Sequence, residues 1–173
     1  MAYLYGSNLS ATGQPLGNVG FNHSRLRQTS FVYTGTPTDS DDLVIATIKS
    51  SDRIKDIRVS CIDGSATAGA MNVGLWTVSL SNGTADYTVV DADLFASAFA
   101  INADIAYPGT SVFEEAGTLT IANRGSTAWA CAAVGAASYT EDPGETFAIV
   151  GEISTTVDAA ITLLVDVEYV AGD

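Results

Sequence analysis

From Arg25 onward the chain reads as short runs rich in Val, Ile, Thr, Phe and Tyr, separated by turn residues, the pattern of a sandwich or barrel. The clearest period lies near the C-terminus. Ile161, Leu163, Val165, Val167 and Tyr169 fall on one face and Thr162, Asp166 and Glu168 on the other, which predicts a half-buried strand. The same reading places strands at 26–34, 43–49, 53–62, 70–80, 85–90, 118–122, 127–134, 146–153 and 161–170. One stretch departs from the period of two. In 91–100, Asp91 is a capping residue, and Leu94, Phe95, Ala98 and Phe99 recur at helical spacing, predicting one short helix across an open end of the sandwich. Trp76 is out of phase with Val73 and Leu75, so one of these sets faces away from the main core or lies between two sheets.

Turn chemistry supports these divisions. Ser81-Asn82-Gly83-Thr84 places Asn-Gly between two strand-like runs, and both residues tolerate the positive φ of a type I′ hairpin. Tyr107-Pro108-Gly109-Thr110 and Asp142-Pro143-Gly144-Glu145 fit type II turns, with Pro setting φ and Gly supplying φ > 0. Asn123-Arg124-Gly125-Ser126 is a further turn.

The first 24 residues behave differently. They are rich in Gly, Asn and Ser and carry no sustained apolar period, so they have no face of their own to bury. The chain therefore divides into an extended N-terminal docking arm, 1–24, and a β-sandwich domain, 25–173. Tyr3, Leu4, Tyr5, Leu16, Val19 and Phe21 are the arm's anchors for a partner groove, and Arg25 and Arg27 at its root suit acidic loops on that partner.

Charge sharpens the division. The first 38 residues contain no carboxylate, whereas from Val59 onward Arg124 is the only basic residue among fifteen Asp and Glu. The formal net charge of −13 repels phosphate backbones and anionic lipid, which argues against nucleic-acid or membrane-surface binding by the body. Lys49, Arg53, Lys55 and Arg58 form a locally basic segment, but Asp52 and Asp56 interrupt it, as on a mixed, solvated strand face. Only 16% of residues are charged, so much of the surface is Ser, Thr, Asn, Gly and Ala, a composition suited to packing between copies as a homo-oligomer. A length of 173 residues suits one core without metal or disulfide staples. Cys61 and Cys131 sit among apolar neighbours and read as two buried thiols in preference to a disulfide. The N-terminus shows no secretory pattern, and the longest small-apolar run, 128–137, is about half a membrane span. The expectation is a soluble chain made in the cytoplasm, with the sequons at Asn8, Asn22 and Asn82 as chance matches.

The search for chemistry returns little. His23 is the only histidine and lies in the arm, which disfavours a Ser-His-Asp triad or a multi-histidine metal centre. No phosphate-cradling or nucleophile-elbow motif is present. Glu114, Glu115, Glu141, Asp142 and Glu145 are the carboxylates a glycosidase would need, yet they read as solvated loop tips. Asp39-Ser40-Asp41-Asp42 departs from the EF-hand pattern at Val44 and Ser50, leaving a calcium loop of another type open. Trp76 and Trp129, with seven tyrosines, supply the aromatics a sugar-stacking platform would use, and an exposed Trp76 would mark ligand or subunit contact. The chain is expected to be no enzyme and to need no cofactor.

Four strings carry a resemblance: LRQTSFVYTG (26–35), IKDIRVSCIDGSATAGAMNVGLW (54–76), VVDADLFASAFAI (89–101) and GTLTIANRG (117–125). Together they resemble the small β-sandwich proteins of tailed bacteriophages encoded with the major capsid protein, a group that includes capsid decoration, or cement, proteins. The resemblance covers about residues 25–170. It implies an all-β, jelly-roll-like antiparallel sandwich, homotrimers or other small oligomers, and attachment to the outer surface of a capsid through the major capsid protein. It implies no catalytic residues, and the arm is where the chain departs most from the pattern. The competing reading is a carbohydrate-binding β-sandwich module on a virion surface.

Overall fold

A computed structural model describes residues 3–5, 26–62, 66–81, 83–114, 118–135 and 139–172. In chain order the strands are β1 (Tyr3–Tyr5), β2 (Leu26–Gly35), β3 (Asp42–Lys49), β4 (Arg53–Ile62), β5 (Ala70–Ser81), β6 (Thr84–Ala100), β7 (Ile105–Ser111), β8 (Thr146–Thr155) and β9 (Ile161–Val170). One helix, α1 (Ala128–Val134), and two short 3₁₀ turns lie between β7 and β8.

The strands form two sheets, ordered β1-β3-β8-β5-β6 and β2-β9-β4-β7. Leaving β1 aside, each sheet has four antiparallel strands, and the chain crosses between sheets in the double Greek-key order of a jelly roll. The sandwich expected from alternation is therefore present. Odd-numbered residues of β9 face inward as predicted: Ile161, Leu163, Val165, Val167 and Tyr169 all belong to the main core. They meet Phe31, Ile54, Ile57 and Val59 of their own sheet and Leu43, Ile45, Met71, Leu75, Phe147 and Ile149 of the facing one. Burial of each such side chain contributes roughly 1.5–3 kcal/mol. Phe95 and Phe113 meet edge to face at 5.3 Å, and Cys131, Ala132 and Leu119 join the same core.

Four sequence expectations are corrected. Residues 91–100 are not a helix but the second half of β6. Leu94, Phe95 and Phe99 are buried as expected, but bulges put them there. Val73 pairs with Ala96 and Leu75 with Asp91, so β6 gains several residues over β5, and each surplus residue resets the alternation. That reset imitates helical spacing. Gly74 permits the close approach, since a Cβ there would stand 2.2 Å from the Asp91 carbonyl oxygen.

The strand expected at 127–134 is α1, where Ala128, Cys131 and Ala132 turn inward at i, i+3 and i+4. Alanine is the best helix former, and a run of alanines carries no period of two to hold a strand. The strand expected at 118–122 is a 3₁₀ turn anchored by buried Leu119, whose N–H donates to the Leu94 carbonyl at 2.8 Å. Finally, Tyr107-Pro108-Gly109-Thr110 is not a connecting turn but part of β7, an edge strand where Pro removes no needed donor. Gly109 has φ of +84°, and a Cβ there would stand 2.5 Å from the Val59 carbonyl oxygen.

The remaining turns match. Ser81 pairs with Thr84 across Asn82-Gly83, and Gly83 has φ of +78°. Gly144 has φ of +67°, and its N–H donates to Asp142 Oδ1 at 2.9 Å. Both cysteines are buried thiols, Cys61 Sγ donating to the Ile101 carbonyl at 3.4 Å, although Cys131 comes from a helix and not a strand. Burial pushes the Cys131 thiol up to about 12, so it has no thiolate character at neutral pH.

Candidate interaction surface

The two sheets turn different exteriors outward. On β2-β9-β4-β7 the outward residues of β4 and β9 are Asp56, Arg58, Ser60, Leu164, Asp166 and Glu168, and their polar groups are largely satisfied within the chain. Asp56 is the hub. Its carboxylate meets Arg58 Nε at 2.8 Å and Arg124 at 3.2 Å, and it accepts from Ser111 Oγ at 2.6 Å and from the Ile57 N–H at 3.0 Å. Arg124 also lies over the Phe113 ring at 5.8 Å. Ser30 Oγ donates to Asp166 Oδ1. The basic segment 49–58 is thus tied into the fold, with Arg58 on Asp56 and Arg53 donating to the Gly125 carbonyl.

On β3-β8-β5-β6 the middle of the outward face is apolar. Val44 pairs with Val150 and Trp76 with Ala148, and these four form a second buried cluster with Val78, Tyr87 and Ala92 packed against it. All seven belong to the sheet itself. Trp76 is only 1% exposed, so it offers no open stacking platform. Its phase against Leu75 is explained: Leu75 faces the inner core and Trp76 the outer cluster.

Beside this cluster runs a polar row, Asp42, Glu152 and Asn72, joined by the pairings Asp42↔Glu152 and Asn72↔Glu152. Asn72 donates to Glu152 Oε2 at 3.4 Å and accepts the Ala98 N–H at 2.8 Å. Asp42 differs. It is 1% exposed, and among the described residues neither carboxylate oxygen has a hydrogen-bond partner. Burial, then the charges of Glu152 and Asp41, push its carboxyl up to about 6, while the N-terminal ammonium pulls the other way. It lies where β1 joins the sheet: Tyr3, Leu4 and Tyr5 pair in parallel with Asp42, Leu43 and Val44.

Of the residues singled out by sequence, Tyr3, Leu4 and Tyr5 are brought to this edge as β1. Arg27 stands apart from them, opposite Tyr169 at the start of β2 in the other sheet. Leu16, Val19, Phe21 and Arg25 lie outside the described residues, as does His23. Asp42 entered the sequence reading only as a member of an acidic loop. A signal was present: Leu43-Val44-Ile45-Ala46 and Phe147-Ala148-Ile149-Val150 are apolar on both faces, the mark of a strand covered on both sides.

Two of the carboxylates weighed for catalysis, Glu145 and Asp142, have structural partners. Glu145 accepts from the Tyr139 hydroxyl at 2.9 Å, and Asp142 closes its own turn. Asp158, hydrogen-bonded by Thr67 and by the Thr67 and Ala68 N–H groups, is held down at about 2 and pins two loops together. Asp41 accepts from the Thr38 N–H at 2.8 Å and hydroxyl at 2.9 Å, closing the turn before β3. Among the described residues no group of three or more His, Cys, Asp or Glu is placed to hold a metal ion, and no helix is long and apolar enough to cross a membrane.

No protein-family model matches the sequence, and no curated protein matches it either. Two solved chains are similar to it. One, from the capsid of Ralstonia phage GP4, superposes with a TM-score of 0.59 at 11% identity and covers 99% of each chain. Another, from the capsid asymmetric unit of cyanophage Pam1, has a TM-score of 0.45 at 16% identity, covering 95% of this chain and 98% of that one. At 11% identity the first similarity establishes a shared jelly-roll-like β-sandwich fold.

Proposed function

We propose that the chain is a structural protein of a tailed-bacteriophage virion and, within that role, a decoration protein that attaches to the outer capsid surface through the major capsid protein. The observation that carries this reading is coverage: the superposition on the phage GP4 capsid chain spans 99% of both chains, so the shared unit is the whole molecule and not a common β-motif. The interior supports it as well. Glu145 and Asp142 have structural partners, and Trp76, one of the aromatics a sugar-stacking platform would use, is covered, which weighs against carbohydrate binding at that residue.

In this reading the body, 25–173, is a preformed scaffold and the arm, 1–24, docks, with Tyr3, Leu4, Tyr5, Leu16, Val19, Phe21, Arg25 and Arg27 contacting the capsid. The protein acts as a homotrimer made in the host cytoplasm, without cofactor or catalysis. Repetition supplies the strength, because several arms of one oligomer engage together and avidity exceeds the affinity of any one.

The test is to add purified chain to capsid shells assembled without it and to sediment the mixture. Saturable co-sedimentation, lost on deletion of residues 2–24 while the body keeps a cooperative melt, is the expected result. Shells that fail to assemble without the chain would make it a lattice-forming capsid protein instead. Binding that survives the deletion would move docking to the sandwich.

A further inference from the structure

The N-terminal strand is joined to the sandwich unlike any other element. Among the described residues every other strand pairing is antiparallel; β1 pairs with β3 in parallel, over three residues, on the edge of the five-stranded sheet. A sheet edge presents unpaired N–H and C=O groups, and β1 is what occupies those of β3 near Asp42. Residues 6–25 then intervene before β2 begins. Tyr5 pairs beside Val44, at the end of the sandwich where β2 finishes, whereas Leu26 opens β2 at the other end, opposite Val170. Closure within one chain therefore runs back along β2, about 30 Å, and across the ~10 Å between layers, while a segment of about twenty residues reaches roughly 65 Å when extended. The connection is long enough for closure and also for reaching a neighbouring copy.

We propose that the β3 edge at Asp42–Val44 is an acceptor for residues Tyr3–Tyr5 of a second copy of this chain, so that neighbouring copies are joined by exchanged N-terminal strands. The backbone pairing is the same whichever copy supplies the strand, so exchange sacrifices none of the contacts of the closed form. A β1 delivered from a neighbour uses the backbone recognition of strand addition, which needs no deep pocket.

Asp42 makes the closed pairing easy to open. Its carboxylate is buried and has no hydrogen-bond partner among the described residues, and it lies on the residue paired with Tyr3. When β1 departs, β3 becomes the sheet edge and the carboxylate gains water. Glu152 on β8 and Asp41 in the preceding turn add repulsion, and the N-terminal ammonium opposes it. Ionisation, favoured above about pH 6, therefore favours release. The net charge of −13 opposes contact between copies, so exchange is favoured by physiological salt over dilute buffer.

The proposal does not rest on the capsid reading, and its test uses the purified full-length chain alone. Tyr5→Cys and Val44→Cys are made in separate chains, since Tyr5 and Val44 are register partners and the native thiols are buried. The two are mixed in 0.15 M salt at pH 5 or pH 8, returned to one common pH, oxidised and run on a non-reducing gel. A covalent dimer of the two different chains is expected, forming at least fivefold faster after incubation at pH 8, with Asp42→Asn removing the pH difference. One chain carrying both substitutions is the control. An internal disulfide in that control with no dimer in the mixture makes β1 a clip within one chain and overturns exchange. Absence of both products shows that β1 and β3 do not pair in this register, which overturns it as well.

Discussion

The outer faces of the two sheets solve the same problem in opposite ways. On β2-β9-β4-β7, charges and hydroxyls are outward and answer one another, with Asp56 collecting Arg58, Arg124 and Ser111. On β3-β8-β5-β6, apolar side chains are outward and buried around Trp76, and Asp42 beside them is a buried carboxylate with no hydrogen-bond partner among the described residues. A charge hydrogen-bonded on several sides holds its place in the fold, whereas a buried charge with no partner is a standing cost. The first face is closed by its own residues. The second is where the fold retains an unfinished interaction, and it is the face that β1 adjoins.

Three substitutions test that contrast. The largest effect is expected from Trp76→Ala, because truncating a covered aromatic forfeits its transfer energy and leaves a cavity. Urea unfolding at pH 7 should show a loss of about 3–5 kcal/mol. A loss below about 1 kcal/mol would mean that the outer cluster is open to solvent, and the two faces would then differ less than described. Next comes Asp56→Ala, which removes the counter-charge of Arg58 and the acceptor of Ser111. A destabilisation of about 2–4 kcal/mol is expected, since part of the network is left buried and unanswered. Double-mutant cycles with Ser111→Ala should show coupling, and additivity would dissolve the idea of a hub.

The smallest effect has the opposite sign. Asp42 carries a folded-state pKa of about 6 against an ordinary value of 3.8, so its protonated form is the one the fold prefers. Its stabilising contribution is complete below about pH 3.8 and is lost as pH rises through about 6. Asp42→Asn should therefore stabilise the chain by about 1–2 kcal/mol at pH 7.5 and by little at pH 4, less than the full ionisation cost because a buried amide also lacks partners. Melts at the two pH values measure this directly. Equal effects at both would show that Asp42 is not buried when ionised.

Sequence periodicity alone determined the all-β class and most of the strands. Alternation in β9 arises because successive side chains of a strand point to opposite faces, so a half-buried strand writes its geometry into the order of its residues. Gly83, with φ of +78°, did the same for the β5–β6 hairpin through backbone conformation. Those signals are local. Residues 91–100 and 127–134 were misread in opposite directions because their outcome is not local: bulges against β5 brought Leu94 and Phe95 inward together, and packing against the core gave an alanine run its helical face.

The order of the strands across the two sheets, with β1 on the edge of β3, was decided by long-range pairing that no window of sequence contains. Asp42 shows the limit most plainly. Its identity was legible, but its buried state depends on β3, on Glu152 more than a hundred positions away, and on the strand that joins at Tyr3. Desolvation belongs to a place in space, and only the tertiary structure assigns that place.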